Sequence, residues 1–451
     1  MDSDTPISIA VFGLGHVGLT TALGFSDLGW NVIGVESDMA KMKLIQDGQV
    51  PFNEDGTSDL LAKNLHSGRF SVTSDIKEAV CTANILIMCV GTPQDIDGTA
   101  DISQLQILAR EIAQNITDHK IVVQKSTAPV NTAAKINEIL LSNIQTSKGS
   151  NHDLVDLVVI PEFLREGNAL YDFFNPHRIV IGLDNFDLKD ILGRMYKPLL
   201  VKMGKVESEI LIYTDIRSAE ISKHTANAFL ATKISFVNMI ADLCTKVGAD
   251  VEDVARSIGM DPRIGSDFLK PGIGFGGSCL PKDLAAFIQV GKINSIDFSF
   301  LEEVNKINEL RISNYINQVI NVLGDLKEKT LAVWGLSFKP GTDDIRDSPA
   351  IRIVSELIKL KANLRVHDPY AITAFKEFIG VSDRIYYAKS PSDATVGVNA
   401  ILVLTDWVQY KEEDFKVIRN YVNDPLIFDG RNLLDPALLT NEGFQYYGIG
   451  R

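Results

Sequence analysis

Cysteine is scarce in this chain: four residues in 451, at Cys81, Cys89, Cys244 and Cys279. So few thiols make no disulfide framework, and a reducing compartment, the cytoplasm by default, is expected. The seven histidines are scattered without ligand-like spacing, so no metal site is expected. No apolar run reaches the roughly 18 residues of a membrane span, and the first eight residues lack the basic and apolar stretches of a signal peptide. Basic charge is short as well, with 44 Lys and Arg against 58 Asp and Glu and a net charge of -14. That balance argues against sequence-independent nucleic-acid binding but permits a local basic pocket for an anionic small molecule. What is present is ordinary for a soluble globular protein, 45% hydrophobic and 23% charged, in a length that suits about two to four domains.

Apolar runs alternate with helical patterns. Strands are predicted at 7–12, 31–35, 85–90, 121–123, 157–160 and 179–181, and again at 330–334, 364–366, 400–404 and 426–428. Between these sets, 216–247 reads as one helix without Gly or Pro, and 300–322 as a second that Gly324 ends. The fold class expected is therefore α/β: two Rossmann-like, doubly wound parallel-sheet domains, residues 1–205 and 326–451, joined by a helical central domain, 206–325.

Gly13-x-Gly15-x-x-Gly18 lies between a predicted strand and a predicted helix, and Glu36 ends the next strand. This is the dinucleotide fingerprint: a tight turn, a close backbone approach to pyrophosphate, and an acid for the ribose hydroxyls. A 2′-phosphate would meet like charge at Glu36, so NAD is favoured over NADP. The strand ends Val90-Gly91-Thr92-Pro93 and Lys125-Ser126-Thr127 would line the same crevice, because ligands bind outside the carboxyl ends of such strands.

Cys279 stands in Gly272-Ile-Gly-Phe-Gly-Gly-Ser-Cys-Leu-Pro-Lys-Asp283, with Lys270 and Lys282 near it in sequence. Glycines admit close approach of a ligand, and a nearby cation favours the nucleophilic thiolate, so covalent catalysis is expected there. Lys223 and Asn227, spaced i and i+4 on the long helix, share a face and could donate to a developing oxyanion; a solvated helix face would give the same spacing. Glu162 and Glu166 repeat the i, i+4 spacing and could handle protons or position water, although surface-helix acids are common. Cys89 and Cys244 read as core, and His224 as structural or partly exposed.

Taken together, Gly13–Gly18, Pro161-Glu-Phe-Leu-Arg-Glu-Gly167, Lys223-x-x-x-Asn227, Gly274–Asp283 and Gly335-Leu-Ser-Phe-Lys-Pro-Gly-Thr-Asp-Asp344 resemble the UDP-glucose/GDP-mannose dehydrogenase family over essentially the whole chain. The resemblance implies two successive hydride transfers from a sugar C6 alcohol to NAD, giving a carboxylate through a thiohemiacetal and a thioester on Cys279. Asp261-Pro-Arg-Ile-Gly265 points within the family to UDP-glucose as the UDP-sugar, with a UDP-N-acetylhexosamine or GDP-mannose as alternatives. β-Hydroxyacid dehydrogenases share the three-part layout but lack the cysteine motif, and a non-enzymatic nucleotide sensor would carry substituted catalytic positions.

Residue roles follow from the same resemblance. Cys279, Lys223, Asn227, Asp283, Glu162 and Thr127 would be catalytic, with Glu162 or Asp283 as the hydrolytic base and Thr127 holding the water. The cofactor would be held by Gly13, Gly15, His16, Val17, Gly18, Glu36, Lys41, Gly91, Thr92, Pro93, Ser126, Thr127, Glu166, Lys282 and Arg346. The sugar nucleotide would meet Glu162, Phe163, Leu164, Glu166, Lys223, Asn227, Phe268, Lys270, Gly276, Cys279, Phe338, Lys339 and Arg431. Arg263 would reach the substrate of a neighbouring subunit, which implies a homodimer formed through the long helix. His16 stands where the family commonly has tyrosine, and Glu36 where it commonly has aspartate.

Overall fold

The apolar runs become two sheets in a computed structural model that describes residues 6–95, 98–145, 151–380 and 382–451. The first sheet contains β1 (Ser8–Phe12), β2 (Asn31–Val35), β3 (Phe70–Thr73), β4 (Ile85–Met88), β5 (Lys120–Gln124), β6 (Val155–Val159), β7 (Ile179–Leu183) and β8 (Leu211–Thr214), in the order β3-β2-β1-β4-β5-β6-β7-β8. All its pairings are parallel except β6 with β7. The second sheet contains β9 (Thr330–Trp334), β10 (Asn363–His367), β11 (Ile385–Tyr387), β12 (Ala400–Val403), β13 (Leu426–Asp429) and β14 (Gln445–Tyr447). It is all parallel, in the order β11-β10-β9-β12-β13-β14.

Both orders reverse beside the first strand, which is the doubly wound arrangement with its ligand crevice at the reversal. Residues alternate between faces because side chains along a strand do. Ile9 and Val11 enter one apolar core while Ala10 and Phe12 enter another, and Leu331 and Val333 separate from Ala332 and Trp334 in the same way. Each sheet is thus covered on both faces, which explains why its inner strands read as continuous apolar runs.

The chain divides into two compact units, Met1–Thr225 and Ala226–Arg451. The long helix, Ile216–Val247, contributes residues to both. Among the described residues it is the helix long and apolar enough to cross a membrane by length and composition. Two of its charged residues, Glu220 and Lys223, are nevertheless buried within the protein. Glu220 is buried and accepts from the backbone N–H groups of Asn131 and Ala133, each at 2.8 Å, and burial pushes its carboxyl above the ordinary carboxylate value. In the second unit the helix Ser299–Leu323 ends at Gly324 with φ 73°, as the sequence predicts.

Candidate active site

The first unit builds a nucleotide cradle at the reversal of its sheet. Gly13 turns with φ 86°, and a Cβ there would stand 3.0 Å from the Cys89 carbonyl oxygen. A Cβ on Gly18 would overlap the Gly13 carbonyl, whereas one on Gly15 would meet nothing within 4 Å. The three glycines thus serve the turn, the helix–strand packing and the open approach respectively. The helix His16–Asp27 starts immediately after, with Gly15 at its cap and no acid in its first turn, so its N–H groups suit an anion.

Glu36 is buried and accepts from Leu14 N at 3.1 Å and Asp38 N at 3.1 Å, and pairs with Lys41 at 2.7 Å. Burial opposes its charge, but Lys41 and the two backbone donors outweigh burial and hold the carboxyl below its ordinary value. These contacts leave about one of a carboxylate's four acceptor sites for a ribose hydroxyl. His16 stacks on Phe52 at 4.0 Å, with Nε2 3.9 Å from Glu166. The strand ends are stitched together by Ser126 Oγ donating to Val90 O and Thr92 Oγ1 donating to Thr127 O, each at 2.7 Å. Gly91 and Pro93 are exposed beside them, and Val17 is partly buried. The residues present therefore fit a dinucleotide.

Three adjacent strand ends and the long helix of the same unit gather a charged cluster. Glu162 and Lys223 are both buried and paired at 3.0 Å, and Leu164 N donates to the other Glu162 oxygen at 2.6 Å. Phe163 lies under Arg178 at 3.7 Å and Lys223 at 5.5 Å. Lys125, on the β5 side, is buried too; burial lowers its ammonium pKa, opposed by Glu162 and reinforced by Lys223. Lys223 is thus not on a solvated helix face. Nor does the i, i+4 spacing of Glu162 and Glu166 place them on a helix: residues 161–165 are irregular and 166–167 form a turn. The two acids diverge, Glu162 to Lys223 and Glu166 towards His16. Pro161 withdraws a helical N–H, and Glu54 fixes the turn by accepting from Gly167 N at 2.8 Å and Ala169 N at 2.6 Å. His224 is buried and structural, with Nε2 3.0 Å from Ala128 O.

The second unit presents the thiol. Cys279 is exposed and occupies the N-cap of the helix Leu280–Ile293, whose first turn contains Pro281. A helix N-terminus favours the thiolate. One turn on, Asp283 is 1% exposed; it accepts from Asn227 Nδ2 at 2.6 Å and pairs with Lys282 at 3.2 Å. Residues 271–277 are buried, and their glycines face protein rather than open space. A Cβ on Gly276 would strike the Asp347 carbonyl, and one on Gly277 would stand 2.6 Å from the Phe338 ring. Only the end of the loop, at Ser278 and Cys279, reaches the surface.

Other predicted positions are more scattered. Arg431 is tied into backbone carbonyls beside this loop. Lys339 lies 5.4 Å from the Phe338 ring. Arg346 forks onto Asp344 and Arg263 onto Asp261, each at 2.6 Å, so both exposed guanidinium groups are held locally. Phe268 takes a strained positive φ of 64°, and Lys270 is exposed. Of the remaining thiols, burial pushes Cys89 up to about 12, Cys244 is buried in the long helix, and Cys81 is exposed. Sequence reasoning placed Lys125 only at the cofactor crevice, not beside Glu162 and Lys223, and missed Glu54 and the N-cap placement of Cys279. Pro281 was the available signal for the last, since proline favours a first helical turn.

The profile of the UDP-glucose/GDP-mannose dehydrogenase family matches in three parts: its NAD binding domain over residues 7–200, its central domain over 217–310 and its UDP binding domain over 332–436. The chain is similar to a UDP-glucose 6-dehydrogenase of Bacillus subtilis (strain 168), 40% identical over 99% of this chain and 98% of that protein. In structure it is similar to a UDP-glucose dehydrogenase of Pyrobaculum islandicum, with a TM-score of 0.89 and 31% identity over 99% of this chain and 98% of the other. It is also similar to a UDP-D-ManNAc dehydrogenase of Pyrococcus horikoshii, with a TM-score of 0.85 and 26% identity over 99% of both chains. The chain belongs to the UDP-glucose/GDP-mannose dehydrogenase family and is an NAD-dependent oxidoreductase.

Proposed function

We propose that this protein oxidises UDP-glucose at C6 to UDP-glucuronate by covalent catalysis at Cys279. The observation that carries the reading is the exposed thiol at a helix N-cap, one turn before the buried Asp283–Asn227 pair. NAD, held at Gly13–Gly18 and Glu36, supplies the hydride acceptor for each of two oxidations. In the first, the C6 alcohol loses a hydride and its hydroxyl proton to give the aldehyde. The Cys279 thiolate then adds to the aldehyde carbon, forming a C–S bond, and the former carbonyl oxygen takes up a proton. Removal of a second hydride and that proton leaves a thioester. Water adds to the thioester carbon as the hydrolytic base takes one proton, the C–S bond breaks with a second proton passing to sulfur, and the carboxylate and the thiol separate.

The roles of the other groups are those that the family resemblance implies. Lys223 and Asn227 donate to the oxygen that becomes negative when sulfur or water adds. The hydrolytic base is Glu162 or Asp283, and Thr127 positions the water. Functionally the chain is read in three segments, 1–205 for NAD, 206–325 for the thiol loop and 326–451 for the UDP portion, where Lys339 and Arg431 face the pyrophosphate. The protein works in the cytoplasm as a homodimer through the helix Ile216–Val247, whose exposed Phe229, Phe236 and Leu243 recur every second turn.

Purified protein tested with UDP-glucose, UDP-N-acetylhexosamines and GDP-mannose decides the substrate. The expected result is highest kcat/KM on UDP-glucose with two NADH per sugar. A single NADH per sugar with release of aldehyde would overturn the mechanism, and preference for an N-acetylhexosamine or GDP-mannose would overturn the substrate.

A further inference from the structure

The glycine loop before Cys279 is fastened to the strand ends of the second sheet. Ile273 N donates to Gly430 O at 3.0 Å. Arg431, the next residue, donates from Nη1 to Gly274 O at 3.1 Å, from Nε to Leu404 O at 2.9 Å and from Nη2 to Phe338 O at 3.5 Å. A Cβ on Gly272 would stand 3.1 Å from Gly430 O and 3.4 Å from Arg431 Nη1. One guanidinium therefore joins the thiol loop to the segments after β12 and β9. These segments lie at the carboxyl ends of parallel strands, where such sheets bind ligands. Three of its five N–H groups are committed to carbonyls, leaving about two that can meet an anion.

We propose that Arg431 is a positioning residue for Cys279: by bridging the Gly274, Leu404 and Phe338 carbonyls, it makes the placement of the thiol loop depend on the strand ends that read the nucleotide. The proposal rests on the reading of Cys279 as nucleophile and of the second sheet as the UDP site. It goes beyond a pyrophosphate contact, because it gives Arg431 a task in the absence of any nucleotide. Gly276 and Gly277 belong to the same device, since side chains there would drive the loop off Asp347 and Phe338.

The test compares wild type with Arg431→Lys, which keeps the charge and loses the fork. Iodoacetamide alkylation of Cys279 is followed by mass spectrometry without nucleotide, alongside kcat and KM for UDP-glucose. A misplacement of about 1 Å can cost about 100-fold in rate. The expected result is a saturated kcat at least about tenfold lower, with an altered nucleotide-free alkylation rate. A raised KM with unchanged kcat and unchanged alkylation would overturn the proposal while leaving the assigned reaction intact. A wild type that oxidises no nucleotide sugar would instead remove that reaction. Should the variant not fold, amide exchange in the wild type gives the second reading: saturating UDP is expected to slow exchange at Ile273 and Phe275, and unchanged exchange would refute the coupling.

Discussion

The buried cluster of Glu162, Lys223 and Lys125 makes an unequal demand on its members. Two ammonium groups face one carboxylate, and Glu162 and Lys223 keep only 7% and 6% side-chain exposure. Lys223→Met leaves Glu162 with Leu164 N and the field of Lys125, so the loss is that of one charge-assisted hydrogen bond, about 1.5–3 kcal/mol. Glu162→Gln removes the negative charge and leaves both lysines without it, for which about 3–5 kcal/mol is the usual scale for a broken buried pair. Burial already lowers the Lys125 ammonium pKa, so the unfolded chain binds that proton more tightly and stability rises with pH between the folded and unfolded values. The Glu162→Gln deficit should therefore shrink between about pH 7 and pH 9.5, because deprotonating a lysine relieves the repulsion. Urea midpoints of apoprotein for both variants at both pH values provide the assay. A Lys223→Met loss equal to or larger than that of Glu162→Gln, or a Glu162→Gln deficit that grows with pH, would refute the reasoning.

Three further outcomes follow from the same geometry. Glu36→Gln strips the partner from Lys41 and weakens the ribose acceptor, so the KM for NAD should rise by on the order of tenfold to 100-fold, about 1.5–3 kcal/mol, in steady-state kinetics at saturating sugar nucleotide. Glu36 is held below its ordinary value, so its wild-type contribution is present above about pH 4.5 and lost as pH falls through its folded value; acid titration of wild type against the variant should show a difference that narrows at low pH. Asn227→Asp sets a second carboxyl 2.6 Å from Asp283, and the two must share a proton. The pair's apparent pKa should rise, with stability present at low pH and lost as pH rises through the shared value, by about 1–3 kcal/mol between about pH 5 and pH 8 by thermal melts.

The inner strands were legible because burial on both faces leaves an unbroken apolar run, as in β4 and β5. The four strands that sequence reasoning passed over, β3, β8, β11 and β14, are the edges of the two sheets. They are short and only partly buried, so their composition carries no such run. Helix 216–247 was legible for its length without Gly or Pro. The cradle glycines could be read because a shared turn geometry fixes them at set spacing. The glycines before Cys279 were read as sites where a ligand comes close, but what approaches Gly276 and Gly277 is the chain itself, at Asp347 and Phe338. That contact spans some 60 to 70 residues of sequence, and no local pattern encodes it. Lys125 was read only as a lining of the cofactor crevice for a similar reason, because its interaction with Glu162 and Lys223 arises only when β4, β5 and β6 end side by side.

The central claim is that Cys279 carries the sugar through its second oxidation. Cys279→Ser, supplied separately with UDP-glucose and with its 6-aldehyde, tests it by counting NADH per sugar and weighing the intact protein for an adduct. The account predicts that the variant yields no carboxylate from the aldehyde and no second equivalent of NADH. Release of two NADH per sugar at the wild-type rate by the serine variant would contradict it.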